Sequence, residues 1–106
     1  MARALINVPK TAKVGDVIEI KTLVSHPMET GYRVGLGGEM LARDIIQTFV
    51  CRFNGAEIYR AEFSPAVAAN PYFTFHAMVS ESGTFEFRWE GDNNFQLVET
   101  ASITVE

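Results

Sequence analysis

The chain is poor in the side chains on which catalysis and metal binding depend, because it has one cysteine and two histidines. A single cysteine excludes an intrachain disulfide and leaves a cysteine-based zinc site without its other ligands. Two histidines without a neighbouring Asp or Cys give weak support to a metal centre. We therefore expect no catalytic residues, no metal and no other cofactor. The cysteine count does not decide between a cytosolic and an exported location.

The chain also lacks a concentration of positive charge and a long apolar run. Its nine basic residues are scattered and its net charge is −4, whereas binding to nucleic acid needs Lys and Arg gathered on one face. No apolar run approaches the roughly 20 residues that span a bilayer, and the N-terminal segment lacks the apolar core of a signal peptide. These absences predict a chain that binds neither nucleic acid nor membrane and has no export signal of its own.

What the chain does contain is a strong signal for β-structure. Short runs of β-branched and aromatic residues, each closed by Gly, Pro, Asn or Asp, fill most of it. Strands are predicted at residues 5–8, 17–25, 45–53, 56–63, 72–79, 85–90 and 95–105. The glycine-rich stretch 28–43 predicts a hairpin excursion, and the stretch 64–71, with two prolines, predicts a crossing between sheets. Asn54-Gly55 predicts a type I′ hairpin turn.

About seven strands at this spacing are typical of an antiparallel β-sandwich of the immunoglobulin or fibronectin kind, here one domain over residues 1–106. Alternation at period two predicts which side chains face its core. The predicted core residues are Phe49, Cys51, Phe53, Phe73, Phe75, Phe85, Phe87 and Trp89. Cys51 shares its face with two phenylalanines, while Arg52 points to the opposite side. The thiol is therefore predicted to be structural and not reactive.

One predicted strand is apolar on both faces, which is unusual where an outer face meets water. In the stretch 45–53, Ile46 and Val50 alternate with the core residues, and Tyr72 and Met78 lie on the outward side of another strand. We predict that these four side chains form a partly apolar patch that receives a partner protein. The alternative is that Ile46 and Val50 pack beneath the hairpin excursion.

The two histidines have ordinary structural explanations. His26 precedes Pro27 at a strand end, where its side chain is expected to cap the loop backbone, and His76 lies on an outward strand face. Two functions other than binding a different protein stay open. One is a metal-assisted oxidoreductase that uses His26 and His76 with a nearby carboxylate, and the other is a homodimeric adhesion-like module.

Seven segments carry a resemblance when they are read together, and they cover nearly the whole chain in order. They are residues 8–9, 14–16, 18–21, 23–31, 45–46, 49–55 and 70–73. The specific part is the combination of His-Pro-Met-Glu-Thr-Gly at 26–31 with Asn-Pro-Tyr-Phe at 70–73. Together they resemble the SoxZ family, a subunit of the bacterial sulfur-oxidising (Sox) system. Glu39 and Ala42 depart from the pattern, where the family would have lysine and proline.

The resemblance implies a non-catalytic subunit in a heterodimer with SoxY, whose C-terminal arm carries the cysteine that holds sulfur intermediates of thiosulfate oxidation. This chain ends without such an arm, so the resemblance places the sulfur on SoxY and not on Cys51. It also implies transient contacts with other Sox enzymes through the complex. The implied location is the periplasm, reached by export together with a signal-bearing SoxY. Self-association of the isolated chain stays open.

Overall fold

The computed structural model describes residues 4–64, 67 and 69–106, and the regular structure in them is all β. The strands are β1 (Ala4–Asn7), β2 (Thr11–Ala12), β3 (Val17–Val24), β4 (Ile46–Phe53), β5 (Ala56–Glu62), β6 (Tyr72–Met78), β7 (Gly83–Gly91) and β8 (Gln96–Val105). A small sheet has the order β1-β3-β6, and a large sheet has the order β2-β8-β7-β4-β5. The predicted all-β sandwich is confirmed, with eight strands in the described residues where about seven were expected. These residues contain no helix that could span a membrane.

The pairing of β2 with β8 is parallel, which departs from the predicted antiparallel arrangement. Thr104 N–H donates to the Lys10 carbonyl at 2.9 Å, and Glu106 N–H donates to the Ala12 carbonyl at 3.1 Å. Two residues are too few to show a period of two, so no hydrophobic pattern marks β2 in the sequence. The other strand pairings in the described residues are antiparallel.

Two tight turns fold the middle of the large sheet. Asn54 (φ 51°) and Gly55 (φ 88°) join β4 to β5, with the two positive φ angles of the predicted type I′ turn. Asn93 (φ 59°) and Asn94 (φ 60°) lie between β7 and β8 and adopt the same left-handed conformation, which asparagine tolerates better than most residues. Both turns place consecutive strands side by side, so two of the pairings in this sheet are set locally.

One core fills the space between the sheets. The ring centroid of Phe49 lies 4.9 Å from that of Phe73 and 5.0 Å from that of Trp89. Tyr59 of β5 stacks on Phe75 of β6 at 4.3 Å, and this contact joins the two sheets. Among the residues assigned to the core from sequence, Phe49, Cys51, Phe75, Phe85, Phe87 and Trp89 are buried, and Phe53 and Phe73 are partly buried against them.

A β-bulge interrupts β4 where it pairs with β7. The register shifts between Ile46 and Thr48, opposite Gly91, where an added Cβ would collide with the backbone of Ile45 and Ile46. The extra residue changes the phase of the alternation, so Ile46 joins the core and is 0% exposed. The expectation that Ile46 points outward is therefore wrong.

Residues 25–45 form the predicted hairpin excursion between β3 and β4. Glu29 and Asp44 exchange two backbone hydrogen bonds of 2.8 Å at its root, and Gly35 N–H donates to the Glu39 carbonyl at 2.7 Å near its tip. Met28 of the root accepts the Ile46 N–H at its Sδ, 3.2 Å away, in agreement with the alternative that Ile46 packs beneath the excursion. The predicted crossing 64–71 leads from β5 of the large sheet to β6 of the small sheet, and residues 65, 66 and 68 lie outside the described residues.

Candidate partner-binding surface

The outer face of the small sheet carries exposed apolar side chains in rows that run across the strands. Leu5, the partly buried Leu23 and Tyr72 lie side by side at one end, and Val17 and Met78 lie side by side at the other. Tyr72 is 60% exposed and Met78 is 72% exposed. Between these rows, Glu19 and Lys21 form an ion pair of 3.4 Å, and the other polar side chains between the rows are Asn7, Thr74 and His76. Exposed apolar rows separated by polar side chains fit a surface that binds another protein.

The outer face of the large sheet differs, because ion pairs run across it. Arg88 of β7 lies 3.6 Å from Glu90 and 4.0 Å from Glu86, and Arg52 of β4 lies 3.5 Å from the same Glu86. Exposed ion pairs of this kind contribute at most about 1 kcal/mol each to stability. Their effect on the surface is larger, since they make this face charged and well hydrated.

Val50 lies in the middle of the charged face and is nevertheless only 5% exposed. Its neighbours across the sheet are Arg88 on β7 and Arg60 on β5. Directly opposed residues are about 5 Å apart, and we infer that the aliphatic stems of the two arginines shield the valine from water. Val50 points outward, but the expectation that it offers an exposed contact is wrong. Tyr72 and Met78 lie on the opposite side of the sandwich, so the four candidates do not form one patch.

The tip of the excursion is a further exposed apolar region, and the sequence predicted a hairpin there without assigning it a role. Tyr32, Val34 and Met40 are 79%, 57% and 61% exposed, and Leu36 at the turn is fully exposed. The signal that could have found it is the presence of four large apolar side chains among glycines, where a solvated loop would carry polar ones.

His26 closes the root of the excursion. Its N–H donates to Asn70 Oδ1 at 2.9 Å, and its Nδ1 accepts the Met28 N–H at 3.0 Å, so the side chain caps the loop backbone as the sequence predicts. Its Nε2 lies 3.5 Å from Asp44 Oδ1. Burial lowers the pKa of His26, against the opposing charges of Asp44 and Asp92. The fold therefore favours the neutral ring, whose Nδ1 is free to accept a hydrogen bond.

The structure does not bring the two histidines together. His76 of β6 is exposed and lies 3.7 Å from Glu19 of β3, whereas His26 follows Glu19 by seven residues, roughly 20 Å along a strand. In the part of the chain that the structure describes, no group of three His, Cys, Asp or Glu side chains is placed to hold a metal ion. His26 and His76 therefore do not form together the metal site that a metal-assisted oxidoreductase would require.

Cys51 lies on the core side of β4 and is 0% exposed. Burial raises the pKa of its thiol to about 12. The thiolate is the reactive form of cysteine, so this thiol stays protonated and unreactive at neutral pH.

Several solved structures share the fold. A superoxide reductase (neelaredoxin) from Ignicoccus hospitalis matches with a TM-score of 0.78 and 20% identity, over 97% of this chain and 80% of that chain. A putative superoxide reductase from Thermotoga maritima matches with a TM-score of 0.72 and 21% identity, over 97% and 85%. The sulfur carrier protein SoxY from Chlorobium limicola f thiosulfatophilum matches with a TM-score of 0.67 and 9% identity, over 97% and 78%. At these identities the likeness shows the fold alone, which defines the class: a small β-sandwich domain found both in enzymes and in a carrier protein.

The family is decided by the sequence itself. The profile of the family described as "Sulphur oxidation protein SoxZ" matches residues 6–102, nearly the whole chain. The chain belongs to the SoxZ family, which confirms the resemblance seen in its segments, and its role lies in sulfur oxidation. A comparison with curated proteins found no significant match.

Proposed function

We propose that this chain is the non-catalytic companion of SoxY, in a heterodimer in which SoxY carries the sulfur intermediates of thiosulfate oxidation. Membership of the SoxZ family supports the proposal. The structural observation that carries it is the outer face of the small sheet, where Leu5, Tyr72 and Met78 are all at least 60% exposed. Large apolar side chains concentrated on one face of a small domain favour burial against another protein.

The internal chemistry of the chain supports a binding role over a catalytic one. Cys51 is buried and its thiol pKa is about 12, so it is unsuited to attack or hold a sulfur intermediate at neutral pH. In the proposal the sulfur is held by an accessible cysteine of SoxY. In the proposed complex this chain stabilises SoxY and helps to present its arm to the other Sox enzymes, which contact the complex transiently.

Co-purification with cognate SoxY is the experiment that tests the proposal. Tyr72→Asp places a charge on the outer face of the small sheet, and Thr100→Asp places the same charge on the outer face of the large sheet as a matched control. A persistent complex buries roughly 1,200 Å² or more, and we expect Tyr72→Asp to weaken it at least about tenfold, with Thr100→Asp close to wild type. Failure of the wild-type chain to bind SoxY would contradict the proposal. Equal losses of affinity for SoxY in the two variants would show that the outer face of the small sheet is not the contact surface.

The proposal includes a periplasmic location, reached by export in complex with a signal-bearing SoxY. Deleting the signal peptide of SoxY tests this. Both subunits should then stay in the cytoplasm on cell fractionation, whereas accumulation of this chain in the periplasm without SoxY would show a separate route.

A further inference from the structure

The four edge strands of the sandwich are protected to very different degrees. An unpaired edge can accept a strand from another chain, and proteins usually prevent this with short edge strands or charged side chains. β1 has four residues and β2 has two. β5 has seven residues, but three of them, Glu57, Arg60 and Glu62, are charged. β6 also has seven residues, Tyr-Phe-Thr-Phe-His-Ala-Met, and none of them is Asp, Glu, Lys, Arg or Pro.

The backbone groups on the free side of β6 can be identified from the hydrogen bonds to β3. Val24 N–H donates to the Pro71 carbonyl at 3.1 Å, and Val79 N–H donates to the Asp16 carbonyl at 3.0 Å. Antiparallel strands use alternate residues for their ladder, so the odd-numbered residues of β6 bond to β3. The N–H and C=O groups of the even-numbered residues point away from the sheet. These residues are Tyr72, Thr74, His76 and Met78, and no strand of the described chain pairs with them.

A cleft of about 250 Å³ runs beside the same strand. β5 and β6 are edge strands of opposite sheets, and the residues that line the cleft include Ile58 of β5, Met78 of β6, Phe53 and Phe85. Its side chains are apolar apart from His76. The inward-facing side chains of a strand added to β6 would enter this cleft, while its outward-facing ones would lie beside Tyr72 and Met78.

We propose that β6 is the pairing edge of this chain, and that an extended, uncharged strand of its partner subunit adds to it and enlarges the small sheet. The inference rests on the proposed function and names the surface through which the partner is held. Addition of a strand supplies main-chain hydrogen bonds for affinity and side-chain pockets for specificity. SoxY from Chlorobium limicola shares the β-sandwich fold, so a partner with that fold has strands that could be added. β6 presents no charge that a strand with apolar side chains would have to desolvate.

Amide hydrogen exchange followed by NMR tests the proposal without a variant. In the free chain the amides of Tyr72, Thr74, His76 and Met78 should exchange fast, because they point to water. In the complex with cognate SoxY their exchange should slow at least about tenfold. The matched control is the β5 edge. Phe63 N–H donates to the Gln47 carbonyl, so alternation leaves the Arg60 and Glu62 amides free, and these should stay unprotected.

A proline substitution tests the same edge by removing a donor. Thr74→Pro deletes an N–H that no strand of the described chain uses, and proline is tolerated at such edge positions. We expect at least about tenfold weaker binding of SoxY by titration calorimetry. Thr74→Ala keeps the N–H and should bind within about twofold of wild type. Glu62→Pro makes the same change on the β5 edge and should also bind normally.

The outcomes separate this inference from the proposed function. Absence of any complex with SoxY would remove both. A stable complex in which the four β6 amides stay unprotected would overturn the inference and leave the proposed function intact. Protection that grows with the concentration of this chain alone would show that a second copy, and not the partner subunit, occupies the edge.

Discussion

The strands of the two sheets show the same alternation of inward and outward residues, but their outer faces differ in character. Ion pairs cross the outer face of the large sheet, whereas the outer face of the small sheet carries exposed apolar side chains. On the large sheet Val50 is 5% exposed, whereas on the small sheet Val17 is 62% exposed. Both valines point outward from a strand. The difference lies in their neighbours, since Val50 stands between two arginines with long aliphatic stems, and Val17 has Met78 on one side only. The exposure of an outward apolar residue is therefore set by its cross-strand neighbours, and not by its own position in the alternation.

The largest difference in the free energy of unfolding is expected between variants of Ile46 and Met78, which the sequence predicted as contact residues of the same patch. Ile46→Ala opens a hole in the core and should lower the free energy of unfolding by about 2–5 kcal/mol. Met78→Ala trims an exposed side chain and should change it by less than about 0.5 kcal/mol. Urea denaturation followed by circular dichroism measures both, and equal costs would contradict the assignment of Ile46 to the core.

The two valines give the most direct test of the comparison. Val50→Ala should cost about 1–2 kcal/mol, because it removes methyl groups that are shielded from water. Val17→Ala removes the same atoms from an exposed site and should cost less than about 0.5 kcal/mol. If denaturant titration gives similar values for both, the arginine stems do not shield Val50.

The shielding of Val50 by the aliphatic stem of Arg88 can be tested separately from the ion pairs of the Arg88 guanidinium. Arg88→Ala removes both the stem and the ion pairs with Glu86 and Glu90, and should cost about 1 kcal/mol. Arg88→Met keeps most of the stem without the charge and should cost about half as much. A methionine variant as unstable as the alanine variant would show that the ion pairs, and not the cover, stabilise this face.

The smallest effect is a pH dependence at the root of the excursion, where the two sheets meet. Burial lowers the pKa of His26 in the folded chain, so the unfolded chain binds the proton more tightly. The stabilisation from the neutral ring is complete above the unfolded pKa near 6.5 and is lost as the pH falls below it, with a slope of at most about 1.4 kcal/mol per pH unit. Denaturation between about pH 5 and 8 should show this fall in the wild type and a flatter profile in His26→Gln. An unchanged profile in the variant would assign the slope to other groups.

Much of the fold could be predicted because its signals are local. Asn54-Gly55 marks its own turn, and the aromatic residues at alternate positions of β7 (Phe85, Phe87 and Trp89) mark their own face. Ile46 was misplaced because the bulge opposite Gly91 depends on a strand more than forty residues away in the chain. The direction of Val50 was predicted correctly, but its burial was not, since the two arginines beside it come from two other strands. β2 was missed because two residues cannot show a period.

The candidate surface was predicted only in part. Tyr72 and Met78 were found, because alternation within β6 is undisturbed and its outward side chains remain uncovered. Leu5 and Val17 belong to the same face, but which strands lie beside β6 cannot be read from a single strand. The register of β1, β3 and β6 supplies that information. It shows that Tyr72 and Met78 each belong to a row of apolar residues that runs across the sheet.

The closure of the excursion at its root has a consequence for how related chains can vary. Glu29 and Asp44 pair through their backbones, and Met28 and His26 fix the residues beside them to the sandwich. The ends of the stretch between them, residues 31–41, are thereby held together. Lengthening or shortening a loop whose ends are already held together changes its closure entropy only slightly, so related chains can diversify this tip while the architecture beneath it is inherited unchanged.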